Sequence, residues 1–400
     1  MKRLSYFCAV LALWPLTASA QHQGHDPTPC RDTGLHCATV ATPAFAADGT
    51  IWLLWAAGGR VTAGHSPDLG RSFDRLVAIN QETERIDSGP DARPKIAIDP
   101  SGRIIVAYAV FQDDRYNGRV MVSRSADGGA TFSPPHPITE DATSQRFESL
   151  ALDPEGNLFT AWIDKRDAAA AKAAGKPYAG AALAYSWSSD GGASFPPARI
   201  VLDNICECCR LGLGFAGARR PVILFRNIFE RNTRDHAVLV FTDAETPGRP
   251  YRVSTDDWQI EACPHHGPSL AIGETGIIHA AWFTAGKARQ GLFYARSTDG
   301  GEHFIAPMSV GELSRRPARP YLLARGHTVR LVWKEFDGEV TTIKEITSPD
   351  DGKAWSPPAE LATTADASDH PLLVSDGAHA FLSWMTRAEG YRLLPLEHVR

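Results

Sequence analysis

The sequence predicts an all-β fold, and more specifically a seven-bladed β-propeller. Two repeated patterns and the composition support this prediction. The first pattern is a short turn of the form S-x-D-x-G-x-[ST]-[FW], and the second is a pair of apolar strands joined by a turn rich in Asp, Gly or Pro. The chain also contains 34 Gly and 28 Pro in 400 residues. Amphipathic runs of helical length are nearly absent, which is typical of an all-β domain.

The short turn is expected to connect two strands. Its Asp carboxylate can accept turn N–H groups, its Gly supplies a positive φ, and its aromatic residue packs under the turn. The copies are residues 66–73, 125–132, 188–195, 297–304 and 348–355. Because Asp-Gly turns are common, one copy would mean little, but five copies indicate a repeat protein. We refer to these segments as the S-x-D turns.

The paired apolar strands set the number of repeats. They run over residues 43–55, 94–108, 149–162, about 211–225, 268–282, 320–333 and 371–384. Successive copies begin 51 to about 62 residues apart, an interval that fits one four-stranded propeller blade. If the strands are named A to D from the channel outward, this pair is A and B, and the S-x-D turn joins C to D.

Two blades depart from the pattern. Blade four has only a degenerate turn near Asp243, and blade seven ends after strand C at about residues 391–397. The missing outer strand is predicted to come from residues 36–40, which would close the ring as a clasp. The alternative is a six-bladed ring with a divergent extra hairpin.

The S-x-D turns resemble the Asp box, or BNR repeat, of the sialidase superfamily of β-propellers. The resemblance extends over nearly the whole chain after its N-terminal segment. It implies a propeller fold, but the Asp box is a structural element and implies no catalysis. Familiar sialidases have six blades, so seven blades would be a departure.

The first residues are typical of a secretory signal peptide. Lys2 and Arg3 precede an apolar run over about residues 4–16, and Ala18-Ser19-Ala20 forms an A-x-A cleavage site. The predicted organisation is a signal peptide at 1–20, an N-terminal segment at 21–40 and the propeller at 41–400. No later apolar stretch approaches the roughly 20 residues that span a bilayer. A soluble periplasmic or secreted protein is therefore expected.

The charge balance excludes some classes of partner. Without Lys2 and Arg3, the chain has 39 basic and 46 acidic residues. There is no basic excess to attract nucleic acid or anionic lipid. A metal ion or a small acidic ligand at the channel mouth is the expected partner, and the oligomeric state is left open.

Two cysteine-rich segments precede blades four and five. They read C-E-C-C at residues 206–209 and C-P-H-H at residues 263–266. In a propeller the loops from strand D to the next strand A, here called D–A loops, lie on one face, so these two segments should be neighbours. Thiolates and imidazoles together suit Cu(I) or Zn(II), and sulfur favours Cu(I). The candidate metal ligands are Cys206, Cys208, Cys209, Cys263, His265 and His266.

Disulfides are the alternative for the same residues. An even number of cysteines in an exported chain normally indicates disulfide bonds. One bond would join Cys263 to a cysteine of the C-E-C-C segment, and another would join Cys30 to Cys37. A disulfide between two blades would stabilise the ring by about 2–4 kcal/mol.

The resemblance to sialidases also implies an enzyme site. It would contain three arginines around a substrate carboxylate, a Tyr–Glu nucleophile pair and an Asp acid/base. The position of the family's first arginine is Ala41 here, so the F-R-I-P signature is absent. The candidates that remain are Arg93, Arg319 and Arg226 or Arg234 for the arginines, Asp113 or Asp114 for the acid, and Tyr116 or Tyr178 with Glu148 or Glu230 for the nucleophile pair.

Three functions therefore remain open from the sequence. The first is a non-enzymatic, exported protein that binds copper or zinc at the two cysteine-rich segments. The second is a glycoside hydrolase acting on an acidic sugar. The third is an interaction scaffold whose cysteines all form disulfides.

Overall fold

The computed structural model describes Cys30, residues 32–217 and residues 219–396. These residues form seven antiparallel sheets, six with four strands and one with three. The predicted signal peptide at 1–20 and the adjoining residues 21–29 lie outside the described part of the chain.

The first four blades follow one another along the chain. Blade one contains β1 (Ala41–Phe45), β2 (Ile51–Ala57), β3 (Arg60–Ser66) and β4 (Arg75–Ala78). Blade two contains β5 (Lys95–Ile98), β6 (Ile104–Phe111), β7 (Gly118–Ser125) and β8 (His136–Pro137). Blade three contains β9 (Gln145–Leu152), β10 (Leu158–Asp164), β11 (Ala181–Ser188) and β12 (Arg199–Ile205). Blade four contains β13 (Gly212–Phe215), β14 (Pro221–Arg226), β15 (His236–Asp243) and β16 (Thr246–Arg252).

The last three blades complete the ring. Blade five contains β17 (Ser269–Ile272), β18 (Ile278–Ala285), β19 (Gln290–Ser297) and β20 (Met308–Val310). Blade six contains β21 (Ala318–Arg325), β22 (Thr328–Phe336), β23 (Thr341–Ser348) and β24 (Ala359–Thr364). Blade seven contains β25 (Leu372–Ser375), β26 (Ala380–Thr386) and β27 (Gly390–Pro395).

Helical structure in the described residues is confined to loops. One α-helix, α1 (Arg166–Ala173), lies in the loop between β10 and β11. Short 3₁₀ turns occur at Leu35–Cys37, Glu230–Asn232 and Leu313–Arg315. Among these residues, no helix has the length and apolar character needed to cross a membrane.

The innermost strands form a closed ring. Each first strand contacts the first strand of the next blade, and β25 of blade seven contacts β1 of blade one. The seven-bladed prediction is therefore confirmed, and the six-bladed alternative is not observed.

Residues 36–40 do not form an outer strand of blade seven, so the prediction of a clasp strand there is wrong. Leu35–Cys37 forms a 3₁₀ turn, and β27 has no outer strand paired with it in the described residues. The turn uses its own backbone groups, because Cys37 N–H donates to Gly34 and Ala38 N–H to Leu35, both at 3.0 Å. The segment is held by side chains instead. Ala38 packs with Trp55 and Met385, which joins blade one to blade seven.

Large aromatic residues fill the spaces between the blades. The tryptophans of the B strands are all buried in the structure: Trp52, Trp55, Trp162, Trp282, Trp333 and Trp384. Buried indole N–H groups need acceptors. Trp162 Nε1 donates to Asp164 at 3.0 Å, and Trp282 Nε1 donates to Asp256 at 2.7 Å.

Each of the five S-x-D turns packs its blade against the one before it. In the second copy, Ser125 Oγ donates to Asp127 Oδ1 at 2.7 Å and accepts from Gly129 N–H at 2.8 Å. Gly129 has a φ of 79°, and a Cβ at this position would lie 2.2 Å from Trp52 of blade one. Glycine is therefore required both by the turn and by the close packing of two blades.

Candidate metal centre and channel mouth

The C-E-C-C segment brings three sulfur atoms together in the D–A loop before blade four. The Sγ atom of Cys206 lies 3.7 Å from that of Cys208 and 3.9 Å from that of Cys209. All three residues are buried, with exposures of 2, 4 and 1%. The loop is anchored at its start because Cys206 N–H donates to the Arg226 carbonyl at 2.9 Å. We call these three cysteines the buried triad.

The C-P-H-H segment adds a second group of ligands next to the first. The ligand atoms of Cys208, Cys263 and His265 all lie within 4.8 Å of one another. Cys263 and His265 are exposed, in contrast to Cys208. We call these residues the outer triad. Cys208 therefore belongs to both triads, and the two loops are neighbours as the sequence predicted.

The backbone around the outer triad is unusual. His265 has a φ of 50°, in the left-handed region that non-glycine residues seldom occupy. Its carbonyl accepts a hydrogen bond from Arg319. The Sγ atom of Cys263 lies 3.9 Å from Glu207, whose other carboxylate oxygen pairs with Lys165 at 2.7 Å. Such conformations persist where surrounding contacts hold them, often at functional sites.

His266 was predicted as a ligand but joins neither triad. Its ring stacks on Phe283 with a centroid separation of 4.1 Å. Its carbonyl accepts from Arg226 at 2.9 Å. Burial lowers the pKa of His266 to about 3, and the charges of Arg319 and Arg226 add to the effect. This residue packs the loop, whereas the adjacent His265 faces the thiols.

The charges around the buried triad favour a thiolate on Cys206. Hydrogen bonds from Cys208 and Cys209 lower the pKa of Cys206, and the positive charges of Arg226 and Arg234 lower it further. The Nη1 atom of Arg234 lies 3.5 Å from Cys206 Sγ. The hydrogen bonds that Cys208 and Cys209 make to the Cys206 sulfur have the opposite effect on their own thiols. They raise the pKa of Cys208, and they raise the pKa of Cys209 to about 12.

The six cysteines in the described part of the chain fall into two chemical states. Cys206, Cys208, Cys209 and Cys263 are free thiols, so no disulfide joins blades four and five. Cys30 and Cys37 are both disulfide-bonded, which is the state assigned to them by the disulfide alternative.

A separate group of charged residues lines the central channel. The channel holds a cavity of about 220 Å³, and residues from all seven blades line it. Arg93 of blade two forms a bidentate pair with Asp369 of blade seven at 2.6 and 2.7 Å. Both side chains are almost completely buried, so this pair connects two blades within the ring.

Asp91 is the centre of a second set of contacts at the channel mouth. Its carboxylate lies 3.1 Å from Arg210, 3.6 Å from Arg319 and 3.3 Å from His370. Burial opposes the charge on Asp91, but the contact with His370 and the two arginines outweighs it and holds the pKa well below its usual range. These partners come from blades four, six and seven. Asp91 and Asp369 were not predicted, because nothing local marks an Asp as the partner of a distant arginine.

Glu148 differs from the other acids in the channel. It is 1% exposed, and neither carboxylate oxygen has a hydrogen-bond partner among the described residues. Burial raises the pKa of Glu148 to about 7, and burial lowers the pKa of the neighbouring Lys95 to about 8.

The hydrolase candidates do not form one open site. Arg93 is paired with Asp369, and Arg319 lies against Asp91. The Nη atoms of Arg226 donate to the backbone carbonyls of Arg234, His266 and Phe283 at 2.7–3.0 Å. Asp113 caps its own loop by accepting from Arg115 and Asn117 N–H groups. The three arginines and Asp113 therefore already have protein partners, whereas the buried carboxylate of Glu148 has no hydrogen-bond partner among the described residues.

Comparison with known proteins supports the fold. No protein-family model and no curated protein sequence matches the chain. A Dyadobacter fermentans protein of unknown function is 18% identical, with a TM-score of 0.54 over 79% of this chain and 95% of the other. The Hadza microbial sialidase Hz136 is 14% identical, with a TM-score of 0.53, and the match covers 87% of this chain and 76% of the sialidase. The polysaccharide lyase Uly1 is 9% identical, with a TM-score of 0.56, and the match covers 90% of this chain and 88% of the lyase.

The seven sheets and their closed ring define the class of the protein as a seven-bladed β-propeller. Its fold is similar to those of propeller glycosidases and lyases. At such low identities the similarity concerns the fold alone, so function has to be argued from the site.

Proposed function

We propose that this chain is an exported, non-enzymatic metal-binding propeller, and that it holds copper through the thiols before blades four and five. One observation carries the proposal. Four free thiols and His265 form two overlapping groups, and within each group the ligand atoms lie within 4.8 Å of one another. Thiols that lie close together in a secreted protein are normally oxidised to disulfides. A second role explains why these four remain together and unpaired.

The donor atoms favour a soft metal ion. The buried triad offers only sulfur, which selects Cu(I) over harder cations. The outer triad offers two sulfur atoms and one imidazole nitrogen, a set that also suits Zn(II). Copper is therefore the first candidate and zinc the second.

The hydrolase alternative receives less support from the channel. A sialidase-like site needs arginines free to bind a substrate carboxylate, whereas the arginine candidates here already bind protein groups. We nevertheless assign the S-x-D turns to the Asp-box class, since their Ser–Asp hydrogen bonds recur in five blades. We therefore propose a sialidase-like propeller, and this proposal does not include the reaction of sialidases.

Metal analysis of purified protein tests the proposal. The full-length gene is expressed with its N-terminal segment, and the protein is recovered from the exported fraction and loaded anaerobically with Cu(I) or Zn(II). We expect bound metal in the unaltered protein and a loss of at least half of it in Cys263→Ser. The matched control is His303→Ala, because His303 is exposed and pairs with Asp299 in an S-x-D turn. Absence of bound metal from the unaltered protein would refute the proposal.

Two further measurements separate the alternatives. N-terminal sequencing of the exported protein is expected to begin at Gln21, which would establish cleavage of the signal peptide. A fluorogenic sialoside should not be turned over, and turnover abolished by Arg319→Ala would favour the hydrolase instead.

A further inference from the structure

We infer that the two triads form a binuclear centre in which the Cys208 thiolate bridges two metal ions. This inference rests on the proposed metal-binding function and goes beyond it by assigning two sites and a shared ligand. One ion would be bound by Cys206, Cys208 and Cys209, and the other by Cys208, Cys263 and His265.

Bond lengths argue against a single ion bound by all five residues. A metal–sulfur bond is about 2.3 Å long, so two thiolates on one ion can be at most about 4.6 Å apart. Within each triad the ligand atoms lie within 4.8 Å of one another, but Cys206 and Cys209 do not join Cys263 and His265 in one such group. Two ions therefore fit the existing positions, whereas one ion would leave ligands unused or require the loops to move.

Cys208 is placed to serve both ions. It is the only residue common to the two groups found in these loops. A thiolate has several lone pairs and can bind two soft ions at once. The shared sulfur would also keep the two ions close together.

Charge near the sulfurs supports a centre of this kind. Four thiolates with two Cu(I) ions carry a net charge of −2, so compensation by nearby cations is needed. Arg234 lies 3.5 Å from Cys206 Sγ, and Arg226 is buried beneath the same loops, where it binds the His266 carbonyl. Arg319 binds the His265 carbonyl on the other side.

The difference in burial assigns different roles to the two sites. The sulfurs of the buried triad are shielded from solvent, whereas Cys263 and His265 are exposed. We therefore expect the outer site to exchange metal with solution and the inner site to retain it. An ion can pass inward by ligand exchange on Cys208: the bonds to Cys263 and His265 break as bonds to Cys206 and Cys209 form. Cu(I) keeps its oxidation state, and protons displaced from thiols go to solvent.

Anaerobic titration with Cu(I) against a competing chelator tests the inference. The unaltered protein should bind two equivalents, and chelator should remove one of them quickly and the other slowly. Cys263→Ser should bind one equivalent and lose the fast phase. The double variant Cys206→Ala/Cys209→Ala should bind at most one equivalent, released in the fast phase. His303→Ala should behave like the unaltered protein.

The bridge itself is tested with Cys208→Ala. Because each ion would lose one ligand, both affinities should fall at least tenfold, whereas Cys263→Ser should leave the slow equivalent unchanged. Thermal unfolding of each metal-free variant identifies any variant that fails to fold. If a substitution of a buried cysteine prevents folding, Cys263→Ser still tests the inference, because Cys263 is exposed.

The outcomes separate this inference from the proposed function. No binding by the unaltered protein would refute the proposed function itself. One equivalent in the unaltered protein, or two in Cys263→Ser, would leave metal binding intact but overturn the binuclear centre. If Cys208→Ala lowered the affinity of only one of the two sites, the bridging role of Cys208 would be overturned.

Discussion

The channel and the thiol cluster lie on the same propeller but use their polar groups in different ways. In the channel, Arg93 and Asp369 satisfy each other across two blades, with both side chains buried. In the thiol cluster, the sulfurs of the buried triad contact mainly one another. Buried charges that pair with each other fasten a structure, whereas buried thiols close together but unbonded are available to a ligand. Polar residues on one face can therefore serve stability or binding according to whether the protein itself supplies their partners.

The largest effect is expected from breaking the channel pair. Arg93→Met leaves the Asp369 carboxylate buried without its partner, which typically costs about 3–5 kcal/mol of unfolding free energy. Urea unfolding measures the loss. Arg85→Met is the matched control, because Arg85 forms an exposed pair with Asp114, and exposed pairs contribute little. An equal effect of the two substitutions would show that the channel pair does not fasten the ring.

The thiol cluster should behave in the opposite way. Cys263→Ser should leave the stability of the metal-free protein unchanged, because this side chain is exposed. Metal at about 100 times its dissociation constant should stabilise the unaltered protein by about 2.7 kcal/mol per site. The variant should lose the part of this stabilisation that comes from the outer site, as measured by thermal unfolding with and without Cu(I). A large loss in the metal-free state would indicate a structural role for Cys263.

A smaller effect concerns the pH dependence of stability. Burial raises the folded-state pKa of Glu148 from 4.5 to about 7, although the positive charges of Lys95 and Arg146 oppose the shift and Asp87 adds to it. The folded state then binds this proton more tightly than the unfolded state. The resulting stabilisation is full below pH 4.5 and is lost as the pH rises through about 7. Lys95 stays protonated in this range because its pKa is about 8.

Glu148→Gln tests this dependence. The variant should show a smaller decline in unfolding free energy than the unaltered protein between pH 4.5 and 7, because glutamine has no proton to lose. The control is Glu82→Gln, since Glu82 is exposed. An unchanged decline would mean that other groups cause the pH dependence.

The smallest effect is expected at the rim of the thiol cluster. Arg234→Leu removes the guanidinium that lies 3.5 Å from Cys206 Sγ. Cu(I) affinity should fall by about tenfold, because that is the expected effect of losing one modest charged hydrogen bond. Arg234→Lys keeps the charge and should recover part of the affinity. An unchanged affinity in Arg234→Leu would show that this arginine does not stabilise the thiolates.

The sequence by itself determined the repeating architecture. S-x-D turns and strand pairs are local patterns, so their spacing was enough to predict seven blades. The circular order of blades also brought residues 206–209 beside residues 263–266, because consecutive D–A loops lie on the same face.

Only the tertiary structure decided which side chains meet. Arg93 lies 276 residues from Asp369, its partner in the ring, and no local pattern links the two. His265 and His266 are adjacent in the sequence, yet the left-handed backbone at His265 lets one face the thiols while the other stacks on Phe283. The segment expected as a clasp strand instead satisfies its backbone within a 3₁₀ turn. Repeats specify the arrangement of the backbone through local interactions. Side chains on distant loops, in contrast, become partners only because the closed ring brings those loops together.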